Sequence, residues 1–104
     1  MAWLTLILSG VLEAVWAAAL SESEGFTRPL PTVVFAVALT ASMAGLAYAM
    51  RTLPVGTAYA VWVGIGAVGA ALYGIVVAGE SASAARLVCL ALIVAGVAGL
   101  RFLE

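Results

Sequence analysis

Residues 2–20 read AWLTLILSGVLEAVWAAAL, an apolar run that carries one acidic side chain, Glu13, near its centre. A helix that crosses a bilayer needs roughly 20 predominantly apolar residues, because each residue advances it by about 1.5 Å through about 30 Å of hydrocarbon. This run therefore has the length of one crossing. Since no Lys or Arg precedes it and Glu13 interrupts it, we predict a mature transmembrane helix and not a secretion signal.

Three further apolar runs follow, and polar, glycine-containing or proline-containing breaks separate them. Pro29 and Pro31 lack the amide hydrogen that a helix interior needs, so they fit the entrance of the second helix. The pattern predicts an all-α integral membrane protein with a single four-helix transmembrane domain over residues 1–104. The predicted helices cover residues 2–20, 32–50, 57–78 and 84–102.

The composition excludes several classes of protein. With 66% hydrophobic residues, 9% charged residues and a mean hydropathy of +1.26, the chain is too apolar for a soluble globular domain. A net charge of -1 without a basic run argues against nucleic acid as a partner. With no histidine and a single cysteine, Cys89, we expect neither a metal site nor a cofactor, and no residue pattern of an enzyme is present.

Glu13 is the one charged residue in the interior of a predicted helix, away from its ends. The others fall in loops or at helix ends: Glu22, Glu24, Arg28, Arg51, Glu80, Arg86, Arg101 and Glu104. A charge at the centre of a membrane helix costs at least about 2.5 kcal/mol on insertion scales, so we interpret Glu13 as a functional residue. The alternative is a carboxyl group that only joins helices by hydrogen bonding.

Glu13 has neighbours that suit a cation. On its face of the helix, Ser9 and Gly10 lie one turn before it, and Trp16 lies one turn after it. Ser9 can donate a hydrogen bond, Gly10 leaves room for a ligand or a neighbouring backbone, and the Trp16 ring attracts cations. A proton or a cation can each neutralise a carboxylate that is removed from water, but not both together. This mutual exclusion is the physical basis of an antiporter.

The second and third helices add candidates to this site. Tyr59 and Trp62 are three residues apart on one face of the third helix, and we predict that they line the site. Gly64 and Gly66 lie in the same helix, where glycine permits a bend or close packing, and we predict a conformational hinge there. Ser42 in the second helix either contributes its hydroxyl to the site or bonds back to its own helix.

Size and charge together predict a dimer of inverted subunits. Four helices can hardly enclose a pathway that is shielded from solvent, and one carboxyl group gives a site with few polar groups. Two copies of the chain would supply what is missing. Ala91, Ala95 and Gly99 follow at four-residue spacing in the fourth helix, a pattern that favours helix packing between subunits.

The arginines divide evenly between the two membrane faces. Arg51 and Arg101 fall on the side of the N-terminus, and Arg28 and Arg86 on the other side. An even distribution predicts insertion in both orientations, unless four arginines are too few to reveal a bias. Both orientations allow an antiparallel homodimer with its two-fold axis in the membrane plane, in which the two Glu13 side chains meet near the midplane.

The residues also match a family. Glu13, the loop EGFTR at residues 24–28, and the run LPVGTAYAVW at residues 53–62 followed by Gly64 and Gly66 resemble the small multidrug resistance transporters. The resemblance covers essentially the whole chain. It implies a proton-coupled exporter of the bacterial plasma membrane that works as an antiparallel dual-topology dimer, with Glu13 of both subunits binding proton and cation in turn.

Within that family, EAVW at residues 13–16 together with Ser42 resembles the guanidinium exporter branch. This resemblance implies a site lined by Glu13, Trp16, Ser42, Tyr59 and Trp62, with Gly10 as the small residue that faces it. Ser21 departs from the lysine that many members carry after the first helix. Two alternatives remain open: an exporter of quaternary ammonium compounds, and a non-transporting assembly subunit.

Overall fold

The computed structural model of the chain describes residues 1–103 as four long α-helices joined by short loops. The helices are α1 (Ala2–Glu22), α2 (Pro29–Ala49), α3 (Val55–Val76) and α4 (Ala84–Leu103). Each is long and apolar enough to cross a membrane, which confirms the four predicted crossings. Glu104, which we predicted at the end of the last helix, lies outside the described residues.

The helix ends differ from the predicted ones by a few residues. α1 continues to Glu22, and Ser23 closes its last turn by donating its amide hydrogen to the carbonyl oxygens of Ala19 and Leu20. α2 already begins at Pro29, because a proline at the first helical position loses no hydrogen bond. α3 begins at Val55, two residues before the predicted start, directly after the extended backbone of Pro54, and it ends at Val76, two residues before the predicted end.

The helices pack around α1. It contacts both α2 and α3 over most of its length, whereas α2 and α3 touch each other only slightly. α4 packs chiefly against α3, and Arg101 near its end also reaches the Trp3 ring of α1. The apolar core lies where the first three helices converge, and its buried members are Leu6, Leu46, Ala49, Ala58, Val61 and Trp62.

Charged side chains lie at the two ends of the bundle. At one end, Arg28 pairs with Glu22, and Arg86 pairs with Glu80. At the other end, the Arg101 guanidinium lies 4.9 Å from the centre of the Trp3 ring, and Arg51 lies 5.9 Å from that of Tyr48. Between these ends, large apolar side chains cover the outside of the helices, which suits a hydrocarbon environment.

Candidate functional site

The Glu13 side chain points from α1 towards α3 and lies directly against Gly66. A Cβ atom built on Gly66 would overlap the Glu13 carboxyl group, with Oε1 as its nearest neighbour. Glycine is therefore the residue that leaves room for this carboxyl group between the two helices. One turn further along α3, Gly69 approaches Ala14, the residue after Glu13, in the same way, so small residues bring α1 and α3 close together at Glu13 and just beyond it.

Two buried polar atoms of α1, on side chains three residues apart, have no hydrogen-bond partner within residues 1–103. They are Oε1 of Glu13 and Nε1 of Trp16. Leaving a buried donor or acceptor unpaired costs about 1–3 kcal/mol, and more for a charged group. An unpaired buried atom in a native protein needs an explanation, and a bound ligand or water is one of them, so this pair marks a candidate ligand position.

Ser42 joins three helices by hydrogen bonds. Its hydroxyl donates to the Ser9 carbonyl oxygen on α1 at 2.7 Å and accepts from Nε1 of Trp62 on α3 at 3.0 Å. Ser42 is fully buried, and Trp62 is nearly so. Of the two possibilities that the sequence left open for Ser42, the bond back to its own helix is absent from this arrangement.

Ser9 and Gly10 face neighbouring helices in the single chain. The Ser9 hydroxyl donates to the carbonyl oxygen of Thr5 at 2.7 Å and lies against Gly45 of α2. A Cβ on Gly10 would come within 2.8 Å of the Ile65 side chain on α3. The space beside Gly10 is therefore filled by a neighbouring helix, which is one of the two uses that the sequence predicted for it.

The aromatic residues lie at different depths in the bundle. Trp16 packs edge-on against Phe35 of α2, with 5.9 Å between the ring centres. Tyr59 lies 5.7 Å from Trp62 by ring centres, but 53% of its surface is exposed. Phe35 was not predictable from the sequence, because one phenylalanine in an apolar run has no spacing that distinguishes it from lipid-facing residues.

The predicted hinge and dimer residues occupy distinct surfaces. α3 is continuous through Gly64 and Gly66, and a Cβ on Gly64 would lie 2.6 Å from Val97 of α4. A bend at these glycines remains a prediction.

The small residues of α4 all lie on its exposed surface: Ala91, Ala95 and Gly99. Ala95 is about 200° around the helix from Val97, which contacts α3, so the small-residue face points away from the rest of the chain. Their contact with a second subunit also remains a prediction.

The comparison with known proteins agrees with this architecture. The family model described as Small Multidrug Resistance protein matches residues 1–93. The chain belongs to the small multidrug resistance family. Among similar members of this family, a protein of Citrobacter freundii named "Guanidinium exporter" is 58% identical over 97% of this chain and 96% of its own length. A protein of Yersinia pestis with the same name is 56% identical over 97% of each chain.

Membership of the small multidrug resistance family also fixes the location. Four helices able to span a membrane, together with bacterial relatives over almost the whole chain, make this a multi-pass bacterial membrane protein.

Proposed function

We propose that the chain is the subunit of a proton-coupled antiporter that exports guanidinium ion, and small substituted guanidinium compounds, by alternating access. Two copies act as an antiparallel dual-topology homodimer, and Glu13 of both subunits binds a proton or the cation in turn. The observation that carries the proposal is the buried, unpaired Oε1 atom of Glu13.

The coupling of proton and cation movement follows from the lack of polar partners for Oε1 within residues 1–103. In this part of the chain, Oε1 has no hydrogen-bond donor, so a charged carboxylate there needs a cation and a neutral carboxyl group needs a proton. One group cannot hold both at once. In the proposed dimer, a guanidinium ion that binds between the two Glu13 carboxyl groups must therefore displace the proton of each, and returning protons must displace guanidinium. Two protons then move against one cation, so the exchange carries net charge.

Guanidinium fits this oxygen better than a quaternary ammonium ion does. Guanidinium is planar and carries N–H donors, which can satisfy Oε1 while the rings of Trp16 and Trp62 hold its faces. A quaternary ammonium ion has no N–H donor and would leave Oε1 unpaired. The relatives named "Guanidinium exporter", at 56–58% identity, support the same choice.

Three features of the single chain support an antiparallel partner. The face of α4 that carries Ala91, Ala95 and Gly99 is open. Tyr59 exposes more than half of its surface although it adjoins the buried Trp62. The even division of the arginines allows both orientations in one membrane.

Currents from purified protein in liposomes test the proposal. We expect a guanidinium concentration jump to produce a current, and Glu13→Gln to abolish it while the dimer persists. Glu24→Gln is the matched control, because it makes the same chemical change on an exposed loop residue.

Other outcomes would favour the alternatives. A current with tetraalkylammonium ions but not with guanidinium would indicate the quaternary ammonium exporter. No current with either ion from an intact dimer would indicate an assembly subunit. Normal exchange by Glu13→Gln would remove Glu13 from the mechanism.

A further inference from the structure

A group of polar side chains joins the ends of α1, α2 and α3 at one face of the membrane. The Tyr73 hydroxyl donates to Oε1 of Glu22 at 2.7 Å. The other carboxylate oxygen, Oε2, lies 3.8 Å from Nη1 of Arg28, and each of these two charged side chains is 52% exposed. Nη1 of Arg28 also donates to the Glu22 carbonyl oxygen at 3.3 Å. The ion pair is thus loose, and both of its members can reach a further partner.

This ion pair lies at the depth of lipid headgroups. Glu22 is nine positions after Glu13 (22 − 13 = 9), which corresponds to about 13.5 Å along the helix at about 1.5 Å per residue. Half of the hydrocarbon core is about 15 Å thick. With Glu13 near the midplane, Glu22 and Arg28 therefore lie where hydrocarbon gives way to headgroups.

An apolar groove leads from the ion pair towards the middle of the membrane. Its volume is about 310 Å³, and Glu22, Arg28 and Tyr73 line its polar end. The apolar wall comes from α1 and α2 and consists of Val15, Ala18, Ala19, Leu30, Pro31 and Val34. An occupant must therefore carry charge at one end and hydrocarbon at the other.

We propose that this groove binds a zwitterionic aminophospholipid with a primary ammonium group. The phosphate accepts hydrogen bonds from the Arg28 guanidinium, which has five N–H donors in all. The ammonium donates to Oε2 of Glu22, while Tyr73 keeps the carboxylate in position through Oε1. One acyl chain lies along Val15 and Val34.

Charge complementarity selects this lipid among common phospholipids. A choline headgroup has no N–H donor for Glu22, and a glycerol headgroup brings no cation to balance the carboxylate. The site shares no residue with the Glu13 site, so the two proposals stand independently.

Native mass spectrometry of the purified dimer tests this proposal. The dimer is mixed with equimolar phosphatidylethanolamine, phosphatidylcholine and phosphatidylglycerol that carry identical acyl chains. We expect phosphatidylethanolamine adducts to exceed phosphatidylcholine adducts about two- to fivefold, the range for one partly exposed charged contact. Glu22→Gln should equalise these two lipids, and Arg28→Gln should weaken retention of both. Arg86→Gln, at the same membrane face but outside the groove, should leave the preference unchanged.

Three results would overturn the proposal. The first is equal retention of all three lipids by the unmodified protein, and the second is an unchanged preference in Glu22→Gln. The third is binding of a long-chain alkylguanidinium that Glu22→Gln weakens while lipid adducts stay constant, which would assign the groove to an amphiphilic cation. Size-exclusion chromatography of each variant confirms that the dimer is intact. Lipid retention needs no transport, so its failure would leave the guanidinium current, and the antiport proposal, untouched.

Discussion

Replacing Gly66 with alanine adds one methyl group at the point where α3 meets the Glu13 carboxyl group. The added Cβ would overlap Oε1 and would lie 2.7 Å from Cγ of Glu13. Either the carboxyl group leaves its position or α1 and α3 move apart. Overpacking of this kind typically costs about 1–3 kcal/mol. Because the strain falls on the binding group itself, we expect Gly66→Ala to weaken guanidinium binding by a similar free energy, about 5- to 150-fold in Kd.

Gly69→Ala is the control for that substitution. It adds the same methyl group to the same helix interface, but the new Cβ would lie 2.6 Å from Cβ of Ala14 and would meet no polar atom of the site. Both variants should lower the thermal stability of the dimer, whereas only Gly66→Ala should lose affinity beyond a few-fold. Titration with guanidinium, followed by the fluorescence of Trp16 and Trp62, measures the affinity. Equal losses of affinity in the two variants, or normal binding by Gly66→Ala, would refute the reasoning.

Three other expectations concern the helix contacts and the competing proton. Ser42→Ala leaves Nε1 of Trp62 buried without its acceptor, so we expect the free energy of unfolding to fall by about 1–3 kcal/mol. The control, Thr40→Ala at an exposed position, should change it by no more than about 0.5 kcal/mol. Equal losses in the two variants would contradict the role of this hydrogen bond. Gly99→Leu should weaken dimerisation, measured by energy transfer between labelled subunits. The chain itself should stay folded, because a Cβ at Gly99 meets nothing within 4 Å in the single chain. An unchanged dimer would remove this face from the interface. Guanidinium binding should weaken as pH falls, because protons occupy Glu13. Glu13→Gln, which lacks the carboxylate, should bind guanidinium only weakly and equally weakly at every pH. A parent protein that binds equally at all pH values would contradict competition.

The four crossings were predictable from the sequence, and so was the placement of Glu13 inside one of them, for one physical reason. Hydrocarbon imposes a length and an apolar composition on each crossing, and it makes any charge inside one stand out. Both signals are local in the chain, so they need no knowledge of which helices touch. The helix ends were less certain, as Pro29 illustrates, because a proline is compatible with the first turn as well as with the preceding loop.

Contacts between helices were not predictable in the same way. The Ser42 hydroxyl could equally well donate a hydrogen bond to a carbonyl oxygen of its own helix. Only the packing of the bundle brings the Ser9 carbonyl oxygen and Nε1 of Trp62 within reach of it. Gly66 is a similar case. Its sequence position predicts a bend, whereas the structure adds that it leaves room for the Glu13 carboxyl group, a requirement that depends on the register between α1 and α3.

Competition between proton and cation at Glu13 is the claim on which the proposed mechanism rests. Proton release on guanidinium binding tests it most directly, measured by a pH indicator in weakly buffered solution over a range of starting pH. We predict that the purified protein releases protons when guanidinium is added, that release is greatest at the pH values where Glu13 is still protonated, and that Glu13→Gln releases none. Guanidinium binding without any proton release, at every pH at which it binds, would contradict the exchange mechanism.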